Sequence, residues 1–526
     1  MNILATALIA SALSPHQVAA RTIAVEERSI DQLQEAMRSG AASSVDLTRA
    51  YLARIAAMDR KGPTLRSVIA LNPDALAQAE ALDAERKAGR TRGPLHGIPV
   101  LIKDNIETSD PIATTAGSMA LRDNVTRRDA PLVAYLRRAG AVILGKTNLS
   151  EWANIRSDKS MSGWSAIGGL VRNPYALDRT ACGSSSGSGA AIAASFAAGA
   201  IGTETDGSIV CPSSVNGLVG FKPTLGLVSR NRVVPISHSQ DTPGPMARSV
   251  RDVALLLSAM AGPDPSDKAT AGTTIHDYTA GLSTSALSGQ RIGVIWPEGL
   301  SPDLTARFET ALAVLRASGA TLVDVKPPKR EGLGQSELLV LQTELKADLE
   351  TYLATTPVAV TTRTLDQVIA FNREHAAKEM PFFAQETFEA AAKTRGLDDP
   401  AYREARATSL RLAGRDGIDA MLQTARVDLL VEPTYAAAWL SDPIYGDQYG
   451  GPSSSQLPAV AGYPHLTVPM GMTRGLPVGL SFIGTRGADA AVLNAGYAYE
   501  QRARARVAPR YLGSAAVGVG VEGIAR

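Results

Sequence analysis

The sequence predicts an α/β fold built on a covered, largely parallel sheet. Two observations predict it. Short Val/Ile/Leu-rich runs recur as IPVLIK, AVILGK, RIGVIW, ATLVDV, VDLLVEP and VGLSFIG, near-continuously apolar as strands buried on both faces are. Around them lie segments with apolar residues at helical spacing, such as LTARFETALAVLRASG and ADAAVLNAGYAYEQRA. Strands alternating with amphipathic helices place those helices over the sheet.

In chain order, helices come first. SSVDLTRAYLARIAAMDR opens on a capping-box pattern, Ser43 with Asp46, and carries Leu47, Tyr51, Leu52, Ile55 and Met58 at helical spacing. ALAQAEALDAERKAG continues in the same style to a Gly stop. GPLHGIPVLIKDNIE then reads as a buried strand after turn residues, and AGAVILGKTNLSEWAN as a strand leading into a helix. Further on, AAIAASFAAGAIG reads as one buried helix between two Gly/Ser-rich stretches, ACGSSSGSGAA and GTETDGSIVCPSS. Residues 330–425 are more charged and helix-like with few strand signals, and read as a helical cap or insertion over the sheet. No internal repeat is present.

Composition narrows the function. The 526 residues carry 53 basic and 51 acidic side chains, a net charge of +2. With no Lys/Arg block and no basic–aromatic stripe, neither nucleic acid nor an anionic membrane surface is an expected partner. Two cysteines, Cys182 and Cys211, are too few for a disulfide-rich scaffold or a four-cysteine zinc site, and the six histidines are scattered singly. No metal and no cofactor is expected. The run Ile3–Leu13, broken at Ser14-Pro15 and followed by small residues at Val18–Ala20, has the form of a signal-peptide core, although no Lys or Arg precedes it. Residues 1–20 are therefore a candidate signal peptide, implying a periplasmic or secreted protein, and a cytoplasmic one if the segment is retained. No later stretch has eighteen uninterrupted apolar residues, so integral membrane association is not expected.

The two Gly/Ser-rich stretches flank one apolar segment rather than joining independent patterns, so they read as walls of a site instead of a linker. Gly183–Gly187 matches G-x-S-x-G around Ser185, the nucleophile-elbow pattern, but no strand pattern precedes it and no histidine stands in a suitable context. A lysine offers another route. Lys103 ends an apolar strand, where it either covers the sheet edge with its stem or lies buried; Lys146 ends a second strand and competes for the role. Burial lowers a lysine from about 10.4 towards neutrality, a shift of three units costing roughly 4 kcal/mol. A neutral lysine then serves as a base towards a serine, provided an oxyanion hole is at hand. Thr205, Asp206 and Gly207, just before Ser208, form a turn that could aim backbone N–H groups inward.

Taken together, GPLHGIPVLIKDNI, AGAVILGKTNLSEWAN, CGSSSGSGAAIAA, GTETDGSIVCPSS, GLVGFKPTLGLVS, LPAVAGYPHLTVPMG and LPVGLSFIG resemble the amidase signature family of serine hydrolases over residues 28–505. The resemblance implies a large α/β fold with a mixed, mostly parallel central sheet covered by helices on both faces. It implies one domain over 28–505, with 506–526 as a C-terminal tail, and amide hydrolysis by a Ser–Ser–Lys triad. Carried over by position, the base is Lys103, the relay serine, held by a cis peptide bond, is Ser184, and the nucleophile is Ser208. The 24-residue separation of the two serines fits the family and selects Ser184 over Ser185 and Ser186. Thr205, Asp206 and Gly207 become the oxyanion and substrate-binding positions. Cys182 and Ser186 replace two glycines of the usual Gly-Gly-Ser-Ser-Gly-Gly loop. Thr205-Asp206 replaces an Ile-Gly pair, so that Asp206 is expected to narrow the site or contact substrate.

Within the family, CGSSSGSGAAIAA, GTETDGSIVCPSS, ISHSQDTPGPMARSV and the signal-like N-terminus resemble bacterial peptide amidases. Those release ammonia from C-terminally amidated peptides. The alternatives are an amidase of small aliphatic or aromatic amides and the glutaminase subunit of a tRNA-dependent amidotransferase. A binding protein on an inactive scaffold is disfavoured by the intact triad positions. The expected partner is a small-molecule or peptide amide. Cys182 and Cys211 read as small buried packing residues, and a disulfide between them is chemically allowed in an exported chain.

Overall fold

The computed structural model describes residues 23–515, so the candidate signal segment 1–20 and the tail beyond 515 lie outside the described residues. Thirteen strands follow in chain order: β1 (Val68–Leu71), β2 (Pro99–Lys103), β3 (Val142–Thr147), β4 (Trp164–Ser165), β5 (Gly169–Leu170), β6 (Gly199–Glu204), β7 (Val219–Lys222), β8 (Thr242–Ala247), β9 (Arg291–Ile295), β10 (Thr321–Val325), β11 (Leu429–Pro433), β12 (His465–Thr473) and β13 (Leu476–Ile483). Eleven of them form one sheet in the order β1-β3-β2-β6-β8-β7-β12-β13-β11-β9-β10, while β4 and β5 make a separate ribbon. The six apolar runs are β2, β3, β9, β10, β11 and β13.

The sheet is mixed, as expected, but parallel pairs are the minority. β2 runs parallel to β3 and β6, and β9 parallel to β10 and β11. The remaining neighbours are antiparallel. Two features hidden in the sequence account for every antiparallel pair except β1–β3. β12 and β13 form a hairpin over Arg474-Gly475, both at positive φ (49° and 80°), the mirror-image turn that suits strand twist. β8 carries Pro243 and Pro245, which argue against a central strand, yet it pairs with β6 along its length and meets β7 at Met246 and Ala247.

The apolar segment after the serine loop is also divided differently. Its helix covers only Ser186–Ala193, and the chain then re-enters the sheet as β6. Both faces are covered there. A Cβ on Gly199 would meet Leu256 of helix Val250–Met260 at 2.5 Å, and one on Gly202 would meet Ser185 Oγ at 2.8 Å. Residues 199 and 202 project to opposite sides of a strand.

Between β10 and β11 the chain is helical, from Leu333–Leu353 through Ala420–Ala425. Leu345, Leu349, Leu365, Val368 and Phe388 of this segment pack with Trp152 and Val234 in a core of their own. Among the described residues no helix is long and apolar enough to cross a membrane.

The sheet positions the site. Lys103 and Glu204 end the parallel strands β2 and β6, and Thr242 opens the antiparallel β8 opposite Glu204. Strand direction changes at this edge, the kind of crevice where α/β sheets place ligands.

Candidate active site

Lys103 is fully buried at the end of β2. Its Nζ lies 2.7 Å from Ser184 Oγ, 2.8 Å from Thr203 Oγ1 and 3.2 Å from Thr203 O. Its head therefore does not reach water. Burial pulls the amine down to about 7, opposed by the nearby carboxylates of Asp241 and Glu204. Lys146, equally buried, is engaged elsewhere: Nζ donates to Ile106 O at 2.6 Å and Thr114 Oγ1 at 2.7 Å, with Asp104 Oδ1 at 3.8 Å. That lysine ties down the loop after β2 and contacts no serine of the site.

The three serines of the first loop separate by their partners. The Gly183–Ser184 peptide is cis. Ser184 is fully buried, and its carbonyl accepts from Ser150 N at 3.0 Å. Ser185 instead belongs to the scaffold: its hydroxyl donates to Thr203 O (3.1 Å) and accepts from Thr203 N (3.2 Å). This disposes of the nucleophile-elbow pattern around Ser185. Ser186 starts the helix behind the loop.

Ser208 sits on the second loop with 8% exposure. Its carbonyl accepts from Ser185 N at 3.1 Å, which ties the two loops together. Gly207 stands at φ +80°, and a Cβ there would lie 2.3 Å from Tyr435 Oη, so both backbone and space require glycine. Just beyond the turn, Glu204 Oε2 accepts from Ile209 N (2.7 Å) and Val210 N (3.0 Å), fixing the start of helix Val210–Val215. Asp206 lies against Ser455 and Glu337, and burial raises its carboxyl; Glu337, buried and facing Asp206, is raised to about 8. Thr205 is held through its side chain by Asp241.

Cys182 and Cys211 do more than pack. They form a disulfide, Cα–Cα 6.0 Å, joining the loop of Ser184 to the helix after Ser208. Sequence alone left this open because pairing depends on two loops meeting in space. One group of potential metal-ligand atoms occurs among the described residues, within 4.8 Å of one another on His238, Glu344 and Asp348. Glu344 there already accepts from Ser237, Ser239 and Tyr402, and His238 bridges the two carboxylates.

The geometry thus brings Lys103 and Ser184 into contact and ties the Ser184 loop to Ser208. A family model described as Amidase matches residues 46–493. The chain belongs to the amidase family. The native peptide amidase of Stenotrophomonas maltophilia superposes with a TM-score of 0.89 at 52% identity, over 92% of this chain and 99% of that one. A probable amidase of Arabidopsis thaliana is 38% identical over 97% of each chain. A glutamyl-tRNA(Gln) amidotransferase chain of Halorhodospira halophila is 36% identical over 91% of this chain and 97% of its own. The protein is an amide hydrolase on an amidase signature fold.

Several residues of the amidase site were not singled out from the sequence. Thr203, between Lys103 and Ser185, and Glu204, which accepts from the two N–H groups just after Ser208, lie in the same stretch as Ser208, but only the folded chain reveals their partners. Asp241 precedes a proline-rich stretch that gave no strand signal.

Proposed function

We propose that the enzyme hydrolyses the C-terminal carboxamide of peptides through a Ser208 acyl-enzyme, with Ser184 as proton relay and Lys103 as base. The observation that carries this reading is the 2.7 Å contact between Ser184 Oγ and a lysine buried from water. A neutral lysine has two N–H groups and one lone pair. Thr203 O can only accept, so it takes one N–H and Thr203 Oγ1 the other. The lone pair is left for the Ser184 hydroxyl proton. Thr203 thereby orients the base.

As Ser208 Oγ attacks the amide carbon, its proton passes to Ser184 and that of Ser184 to Lys103. The N–H groups of Thr205, Asp206 and Gly207 receive the oxyanion; preorganised donors of this kind supply much of the catalysis of acyl transfer. The proton then returns along the same route to the leaving nitrogen, the C–N bond breaks and ammonia departs. Water enters and releases the acid from Ser208.

Preference for peptide carboxamides is supported by 52% identity to a peptide amidase across nearly the whole chain. Ammonia release tests it on three substrates: a peptide carboxamide, the same peptide with a free C-terminus and an internal glutamine, and a simple aliphatic amide. Release mainly from the first is expected. Preference for the simple amide would move the enzyme to the general amidases. Silence on all three, with rapid turnover only beside a partner protein, would favour the glutaminase alternative.

A further inference from the structure

We propose that Asp241 is a positioning residue for this reaction, holding the Thr205 end of the turn that carries Ser208. This rests on the assignment of Ser208 and its oxyanion turn given above.

Asp241 is 8% exposed and directly precedes β8. Its Oδ1 accepts from Thr205 Oγ1 at 2.6 Å, and its Oδ2 accepts from Ile236 N (2.8 Å) and Ser237 N (2.9 Å). The neighbouring Gln240 donates to Thr205 O at 3.2 Å and to Glu337 Oε1 at 3.0 Å. Thr205 is therefore gripped at its hydroxyl and its carbonyl by adjacent residues of one segment.

That segment is itself anchored to helix Leu333–Leu353. Ser237 and Ser239 donate to Glu344, and His238 N donates to Asp348 Oδ2 at 2.8 Å. Hydrogen bonds to an ionised carboxylate are short and roughly twice as strong as neutral ones. A donor set fixed before the reaction needs no reorganisation when charge develops. The helical segment between β10 and β11 thus reaches the oxyanion turn through residues 236–241.

Asp241 has a second, electrostatic reach. Its negative charge and that of Glu204 are the two that act on Lys103 and favour its protonated form. Burial raises the Asp241 carboxyl to about 6, with Asp348 on its other side adding to the rise and the bonds from Thr205, Ser237 and Ile236 opposing it, while Asp241 favours the charged form of Arg230. A purely structural hydrogen bond to Thr205 would not connect these groups to the base.

The test uses Thr205→Val, Asp241→Asn and the double variant in the full chain, with Ser208→Ala alongside, assayed on a peptide carboxamide. Thr205→Val removes the hydroxyl and keeps the shape. Losing a charge-assisted hydrogen bond at this position should lower kcat about tenfold or more. KM should stay within about twofold, since the donors act on the transition state. The double variant should be no worse than Asp241→Asn, because both remove one shared interaction. Asp241→Asn should also move the acid limb of kcat/KM to lower pH by about half a unit or more, since a protonated Lys103 loses a favourable neighbour. Thr205→Val should leave that limb in place.

Wild-type kcat in Thr205→Val, or additive losses in the double variant, overturns the positioning role. So does an unmoved acid limb in Asp241→Asn. Should Asp241→Asn not fold, Thr205→Val alone decides. An active Ser208→Ala would instead overturn the nucleophile assignment, so the two failures are distinguishable.

Discussion

Lys103 Nζ lies 2.7 Å from Ser184 Oγ, joining the end of a strand to a loop 81 residues further along the chain. Burial has brought this amine to about 7, against about 10.4 for an unperturbed lysine. In the proposed mechanism the base works deprotonated. Accordingly kcat/KM should fall as pH drops through about 7 and stay level above it. A pH–rate profile checks this; an acid limb near the ordinary lysine value would remove Lys103 from the role.

The same burial predicts a trade between activity and stability. In the folded state Lys103 holds its proton less tightly than in the unfolded chain, so stability rises with pH between about 7 and 10.5. Lys103→Met should be inactive yet more stable than wild type at pH 7, with the gain shrinking towards pH 10. Thermal unfolding at several pH values measures it. A variant less stable at every pH would mean that the lost hydrogen bonds outweigh the relief of the buried amine.

Lys146 separates structure from chemistry. Lys146→Met loses the bonds to Ile106 O and Thr114 Oγ1 and, unlike Lys103→Met, removes the cation 3.8 Å from the buried Asp104 carboxylate, so it should cost about 1–3 kcal/mol of stability through unsatisfied partners. The folded fraction should keep the wild-type acid limb. If that limb shifts with Lys146→Met and not with a Lys103 variant, the base has been misassigned.

The serines should divide in the same way. Ser208→Ala and Ser184→Ala should each lower kcat by about a hundredfold or more with unfolding temperature little changed, as loss of a nucleophile or proton relay does. Ser185→Ala removes two hydrogen bonds to Thr203 and should cost about 1–2 kcal/mol of stability. It should still be sulfonylated by a sulfonyl fluoride, with loss of fluoride. Mass mapping of the adduct to Ser208 in the wild-type enzyme is the decisive readout, and a wild-type adduct on Ser185, lost in Ser185→Ala, would reverse the assignment.

Reduction of Cys182–Cys211 should loosen both serine loops at once. The bridge spans a sequence separation of 29, for which chain entropy gives about 3–4 kcal/mol. A Cys182→Ala/Cys211→Ala double variant should unfold at lower temperature than wild type and match reduced wild type. Identical melting with and without reductant would show that the bridge contributes nothing.

The sequence determined the strands whose apolar runs are long and self-evident, β2, β3, β9, β10, β11 and β13, and the capping box at Ser43 and Asp46, present as read. Lys103 stood out as a lysine ending an apolar strand and Thr205–Gly207 as a turn before Ser208, while the resemblance to the amidase signature family selected Lys103 over Lys146 and picked Ser184 and Ser208 by position. The sequence did not determine where the alanine-rich helix ends and β6 begins, since a continuous apolar run of small residues lacks a period. Nor could it place β8, whose prolines argue against a strand, or balance parallel against antiparallel pairs. Only the tertiary structure decided that Lys103 turns inward and Lys146 braces a loop, that Ser185 serves the sheet, that the cysteines are bonded, and that Asp241 holds Thr205. Each of these depends on which distant groups share a dry space, and burial is set by the neighbours a residue acquires on folding.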